Sequence, residues 1–255
     1  MLDYNMIEPF KFSRTKVDEH IEKVGVDIRP VIECKLDRVK LFDLGQKLVD
    51  KYPNIFESLV QSPTDFHIRK KFIFPGKGEV DLVTLAITPR GVVFIFPRRL
   101  SIFEEDISQN NMQDISLDGL KIFRGTFPGR IICRVGLVNE YIFNTGPVES
   151  TDLVCSRFTK VSVPSSGEII LNINCPDDDH NRKIQLQAVQ KLERVPEIPD
   201  KQQVRSYGVK VVVDFNNRDM SQNLDDGRIL EILHKARQYN EKELYDFLNG
   251  SSGGE

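Results

Sequence analysis

The sequence predicts an α+β protein: a mostly antiparallel sheet, with a helix after the first strand and a long C-terminal helix. Three observations carry that expectation. Arg130–Phe143 alternates at period two, with Ile131, Cys133, Val135, Leu137, Tyr141 and Phe143 on one face and Asn139 as that face's only polar member. Its other face mixes Arg134, Gly136 and Glu140 with aliphatic residues, as a strand covered on one side and partly wet on the other would. Residues 66–96 read as three strands separated by short Pro/Gly turns, an antiparallel meander. Leu224–Leu248 carries Ile229, Ile232, Leu233, Ala236, Leu244, Phe247 and Leu248 as a helical apolar stripe. Strands grouped with helices beside them, rather than a strict strand–helix alternation, define the class.

Taken in order, residues 1–26 are polar and weakly periodic and read as an N-terminal extension with a short helix over Lys16–Lys23. Arg29–Val39 reads as the first strand, Val31, Cys34 and Leu36 being its apolar residues and Pro30 suiting its first position. Phe42–Leu59 reads as a helix with Asp43 as N-cap and Pro53 as a kink or break. Phe66–Phe74, Val80–Thr88 and Val92–Phe96 form the meander, turning at Pro75–Gly78 and Pro89–Gly91. Pro97–Gly125 is the hardest part to read, with a helix expected near Phe103–Gln113. In Arg130–Phe143, Gly136 reads as a bend or bulge. Leu153–Val163, Glu168–Asn174, Lys183–Leu192 and Tyr207–Phe215 read as further strands before the terminal helix. The domain reading is therefore 27–249, either one unit or two half-domains (27–125 and 126–249), followed by a flexible tail over 250–255.

Composition bounds the function classes. In 255 residues, 40% are hydrophobic and 29% charged, enough for a core and a soluble surface. The 35 basic and 38 acidic residues give a formal charge of −3, which argues against a general nucleic-acid binder while leaving room for a local basic patch. No apolar run approaches the roughly 18 residues needed to cross a bilayer, and the N-terminus lacks the pattern of a signal peptide, so no membrane partner is expected. Cys34, Cys133, Cys155 and Cys175 are scattered without metal-binding spacing, which suits buried thiols in a reducing cytoplasm and calls for no metal or cofactor.

Candidate sites are sparse. Asp27 with Glu33 and Lys35 could build a metal-dependent nuclease, since a strand presenting Glu-x-Lys puts a carboxylate and an ammonium on one face to hold a divalent ion and polarise water. The same pair also fits a charged, solvated strand near a sheet edge. Asp177-Asp178-Asp179-His180 clusters carboxylates but lacks the spacing of a calcium loop, and reads as a solvated turn. His20, His67, His180 and His234 have no neighbour resembling a catalytic partner. Arg69, Lys70, Lys71, Arg98, Arg99, Lys121, Arg124 and Arg130 concentrate mid-chain and could cradle phosphates if the meander gathers them.

Two segments resemble a bacterial family. RPVIECKL is similar to that family's opening strand, in which proline precedes an apolar run carrying a glutamate, and RVGLVNEYIF resembles its Arg-apolar-Gly-Leu-x-x-x-x-Ile segment. The end of the chain, with Leu233, His234 and Phe247, is also similar, so the resemblance spans about residues 28–248. Val138 and Glu140 stand where the family's Arg-Tyr-x-Asn pattern would fall. The family is sporadically distributed and has no assigned activity. The resemblance thus implies an accessory protein of a multi-gene defence or toxin-type system, and no catalytic residues. The leading expectation is a non-enzymatic adaptor or inhibitor acting on another protein through its surface or sheet edges. A nucleic-acid-binding accessory protein comes second and a nuclease third.

Overall fold

The centre of the molecule is a strand in a stretch that reads as polar. The computed structural model describes residues 10–29, 38–61, 66–74, 78–88, 90–97, 109–146, 149–159, 169–194 and 202–250. In it Val17–Arg29 is β1, not a short helix within an extension. Val24, Val26 and Ile28 are buried on one side, while Lys23, Gly25 and Asp27 alternate to the other. Charged residues such as Lys23 and Asp27 on its other side, with Glu22 buried among the apolar residues, hide the strand in the sequence, and the period of two is what decides.

Helix α1 (Arg38–Lys51) follows, burying Leu41, Leu44 and Leu48. It ends before Pro53, which therefore terminates the helix instead of kinking it, and Leu59 lies in the short strand β2 (Ser58–Gln61). The meander is β3 (Phe66–Phe74), β4 (Gly78–Thr88) and β5 (Gly91–Pro97). Helix α2 runs over Gln109–Thr126, ending later than the expected 103–113, of which 103–108 lie outside the described residues. Its polar composition hides Met112, Ile115, Leu120 and Phe123, which are buried at three-, five- and three-residue steps.

The expected central strand is β6 (Ile131–Gly146), and Asn139 on its inner face is indeed buried. Residues 153–158, the first part of the expected strand Leu153–Val163, are instead in helix α3 (Ser150–Phe158), with Leu153, Val154 and Cys155 packed inward, and 160–163 lie outside the described residues. Strands β7 (Ile170–Asn174), β8 (His180–Arg194) and β9 (Gln202–Asn217) complete the sheet. The terminal helix is not continuous: α4 (Asp226–Gln238) passes through a π turn (Tyr239–Glu243) into α5 (Leu244–Leu248). Asp225 caps α4, accepting from Arg228 N–H at 2.8 Å.

The nine strands form one sheet in the order β2-β3-β4-β5-β1-β6-β9-β8-β7, with every described pairing antiparallel. Both halves follow one path. A strand at the sheet's middle leads to a helix, then a meander walks in from the edge until its last strand lies beside the first. The starting strands β1 and β6 pair with each other, Gly25 opposite Gly136.

The helices share one face of the sheet, where Phe66, Phe94, Leu137, Phe143, Val211 and Ile232 belong to a single core. Phe12 stacks edge-on against Phe143, and its N–H and C=O both bond to the Asn249 amide, so the described chain ends are clipped together. No described element packs on the other face of the sheet.

Gly136 is not a bulge. It pairs regularly with Gly25 and Asn216, and the register breaks in β6 fall instead at Cys133, where pairing with β1 moves from Asp27–Arg134 to Ile28–Ile132, and at Thr145 in the pairing with β9. Glycine at 136 suits a close approach: a Cβ there would stand 3.0 Å from the Asn216 Cβ and 3.2 Å from the Phe215 carbonyl oxygen, so β9 would have to give by a few tenths of an ångström.

Candidate binding surfaces

The open face of the sheet is built from the residues that alternate with the core. Lys23 on β1, Val138, Glu140 and Ile142 on β6, and Val212 and Asp214 on β9 lie side by side because β1, β6 and β9 are hydrogen-bonded neighbours. Each is half-buried by the side chains around it.

Charges there come in balanced groups. Glu140 bonds the Lys23 ammonium and lies 3.1 Å from the Lys210 ammonium. Burial alone would push the Glu140 carboxyl up, but hydrogen bonds and charge from Lys23 and Lys210 hold it below the ordinary glutamate value. Arg134 reaches Asp27 at 3.4 Å and Asp214 at 3.2 Å. One group has two cations around an anion and the other two anions around a cation, so together they are neutral. Between them lies the Gly25–Gly136 pair, which has no side chain to fill the surface.

The residues singled out from the sequence are dispersed. Asp27 is engaged with Arg134 on the open face, and Glu33 and Lys35 lie outside the described residues. Among the described residues there is no group of three or more His, Cys, Asp or Glu arranged to hold a metal ion. Arg69 and Lys71 alternate with Lys70 on β3, and Lys70 turns to the Pro53 carbonyl at 3.1 Å. Arg124 sits in the helix layer, bonded to Asp226 and to the Leu224 carbonyl, and Arg130 lies in the loop before β6. Arg98 and Arg99 lie outside the described residues. The described members of the expected basic patch thus occupy both sides of a strand, a helix and a loop, and do not form one surface.

Sequence reasoning missed the two ion groups because their paired members are 70 to 117 positions apart. Reading β1 as a strand would have aligned Lys23 and Asp27 on one face; nothing local points to Lys210 or Asp214.

A second feature is a cleft of about 400 Å³ at the end of the helix layer, between the β7–β8 turn and the π turn. The turn folds around the Asp177 carboxylate, which accepts from the N–H groups of Asp179 at 3.0 Å and His180 at 2.6 Å. Burial would raise the Asp177 carboxyl, but those donors and the nearby His180 and Arg182 hold it below the ordinary aspartate value. His180, only 4% exposed, places its ring 5.0 Å from Phe215 and its Nδ1 3.3 Å from Asp177 Oδ1. Arg182 lies over the Tyr239 ring and bridges Asp177 and Glu243, each at 3.5 Å. The sequence showed the acidic turn but not the aromatic wall, because Tyr239 arrives from the far end of the chain.

These features define an α+β protein whose described strand pairings are all antiparallel, with helices on one face of the sheet, paired charges at the centre of the other and an acidic cleft beside the π turn. No family model matches the chain, and no curated protein matches it.

Proposed function

We propose that this chain is a non-catalytic accessory protein that binds another protein through the open face of its sheet. The observation that carries this reading is the mutual pairing of the charges at the centre of that face. A surface for nucleic acid needs unneutralised cations to displace counterions from phosphates. Here Lys23 and Lys210 share Glu140, and Arg134 is shared by Asp27 and Asp214. Half-buried Ile142, Val138 and Val212 among fixed charges of both signs match the make-up of protein interfaces, where apolar contact supplies affinity and the charge pattern sets register. Asp27, the described member of the nuclease set, is paired with the Arg134 guanidinium at 3.4 Å. The resemblance of RPVIECKL and RVGLVNEYIF supports the same reading, an accessory component of a bacterial multi-gene system of defence or toxin type. We read the chain as cytoplasmic, a compartment that suits the free thiols of Cys133 and Cys155. No described helix is long and apolar enough to cross a membrane.

The test uses a C-terminal tag, since Asn249 lies on the helix side and leaves the open face clear. Val138→Arg with Val212→Arg adds bulk beside Asp214 and Glu140, which can pair with the new cations and preserve the fold. Wild-type protein should capture a partner from its native host that the variant retains at least about tenfold less, with unchanged urea midpoints. Capture of the same proteins by both forms would defeat the reading. So would low-salt retention of nucleic acid that the variant strengthens, which would make the face a phosphate surface.

A further inference from the structure

The two edges of the sheet are not protected alike. At one edge β2 is four residues long and lies beside the Glu57–Lys70 ion pair, and shortness and charge both keep an edge from pairing with another chain. At the other edge is β7, where Ile169–Asn174 carries no charged residue, no proline and no register break. Ile170 is 46% exposed there.

The hydrogen-bond phase fixes which backbone groups face outward. Ala188 N–H donates to the Ile169 carbonyl at 3.3 Å and Cys175 N–H to the Arg182 carbonyl at 2.8 Å, so residues 169, 171, 173 and 175 are the ones that bond β8. The N–H and C=O groups of Ile170, Asn172 and Asn174 point away from β8, and among the described residues no strand lies beyond them. The side chains divide in the same way. Leu171 and Ile173 stand on the helix side, opposite the buried Leu186 and Ile184 of β8, yet are themselves only half-buried. Ile170, Asn172 and Asn174 are exposed on the open side.

The strand that fits this edge is the edge itself. In an antiparallel pair about a two-fold axis at Asn172, Asn172 faces its own counterpart and Ile170 faces Asn174 of the second copy. That register engages all the outward backbone groups, with two hydrogen bonds at each such pair. On the helix side it sets Leu171 beside Ile173 of the second copy, and Ile173 beside Leu171, so four aliphatic side chains carry the core across the junction. A two-fold edge sets a central residue against itself, so a charge there would meet its like, and β7 has none. The nearest charges stand off the junction: Lys183 is one strand inward, opposite Asn174, and Asp177 lies past the strand's end.

We propose that the chain forms a two-fold dimer in which β7 pairs antiparallel with β7 of a second copy, joining the two sheets into one. The shared ladder is short, so the dimer is concentration-dependent, with a dissociation constant on the order of 100 µM or below. The proposal does not rest on the open-face reading, because the contact is made at the edge of the sheet, away from Val138 and Val212 on β6 and β9.

Sedimentation equilibrium of the untagged full chain, from about 1 µM to about 1 mM, tests it. The mass should rise from 29.3 kDa toward twice that value with concentration. Asn172→Pro removes an N–H that β8 does not use, so the monomer keeps its own ladder, and the rise should disappear. Asn172→Lys and Asn172→Asp each set like charges across the axis and should weaken the dimer about fivefold or more, while an equimolar mixture of the two should recover the wild-type strength. The charge pair carries the test alone if the far-UV CD spectrum of Asn172→Pro departs from that of the wild type. Val138→Arg with Val212→Arg should dimerise as the wild type does. A wild-type chain that stays monomeric overturns the proposal and leaves the edge to a strand of another protein. Dimers that survive a folded Asn172→Pro, charge variants that the mixture does not restore, or loss of the dimer in Val138→Arg with Val212→Arg also overturn it, because the contact then lies elsewhere.

Discussion

Gly136 and Gly25 face each other at the centre of the sheet, yet their surroundings make them unequal. A side chain at 136 would collide with Asn216 and the backbone of β9, whereas one at 25 would find its nearest neighbour, Val93 Cγ2, at 4.0 Å. Gly136→Ala should therefore destabilise the fold by about 1–3 kcal/mol through overpacking. Gly25→Ala should be neutral or stabilising by up to about 1 kcal/mol, because it lowers the entropy of the unfolded chain. Urea unfolding of the two variants checks the contrast, and equal costs would refute it. The sequence shows only that residue 136 is glycine within a strand, which reads as a bulge. The actual constraint comes from β9, some 80 residues later, so no local pattern could reveal it.

At the scale of elements, long periodic segments were legible and short apolar runs were not. The meander and β6 were readable because alternation persists over many residues. Ser150–Phe158 was not, because Leu153, Val154 and Cys155 make a brief continuous run that serves a buried helix as well as a strand. The C-terminal helix was legible apart from its π turn, which brings Tyr239 inward against Phe215. Burial pushes the Tyr239 hydroxyl up from the ordinary 10 to about 12. Because the folded-state value is the higher, Tyr239's contribution to stability is intact below pH 10 and is lost as the pH rises through about 12. Tyr239→Phe should flatten the loss of stability between those limits. Urea midpoints measured across that alkaline range would show it, and an unchanged slope would argue against a buried hydroxyl.

Across the whole molecule, the first strand and helix α4 are joined by a buried ion pair. Glu22 on β1 and Arg237 on α4 lie 3.4 Å apart, with side chains 4% and 11% exposed. Removing one partner takes that ion pair from a buried charge, so Arg237→Leu should destabilise the fold by about 1–3 kcal/mol. Glu22→Leu combined with Arg237→Leu should recover most of that loss, because two apolar side chains of similar size can replace the pair. A double variant no more stable than the single one, by urea denaturation, would show that the pair is not the source of the cost. The candidate surfaces belong to this scale as well. The mid-chain basic residues looked like a patch because they are close in sequence, and the sheet disperses them between strand, helix layer and loop.

What the sequence determined by itself is the class of the fold, since alternation over β6 and the meander, with helical stripes around them, is a local property that survives any arrangement of neighbours. Only the tertiary structure decided that a polar stretch, Val17–Arg29, would pair with β6 at the sheet's centre. It also decided that Lys23, Glu140 and Lys210 would meet on one face, and that Tyr239 would close a cleft over His180. The reason is physical: a strand's wet face tolerates almost any residue, so its partners are selected by the core on the opposite side, and the charges that face water are brought together as a consequence.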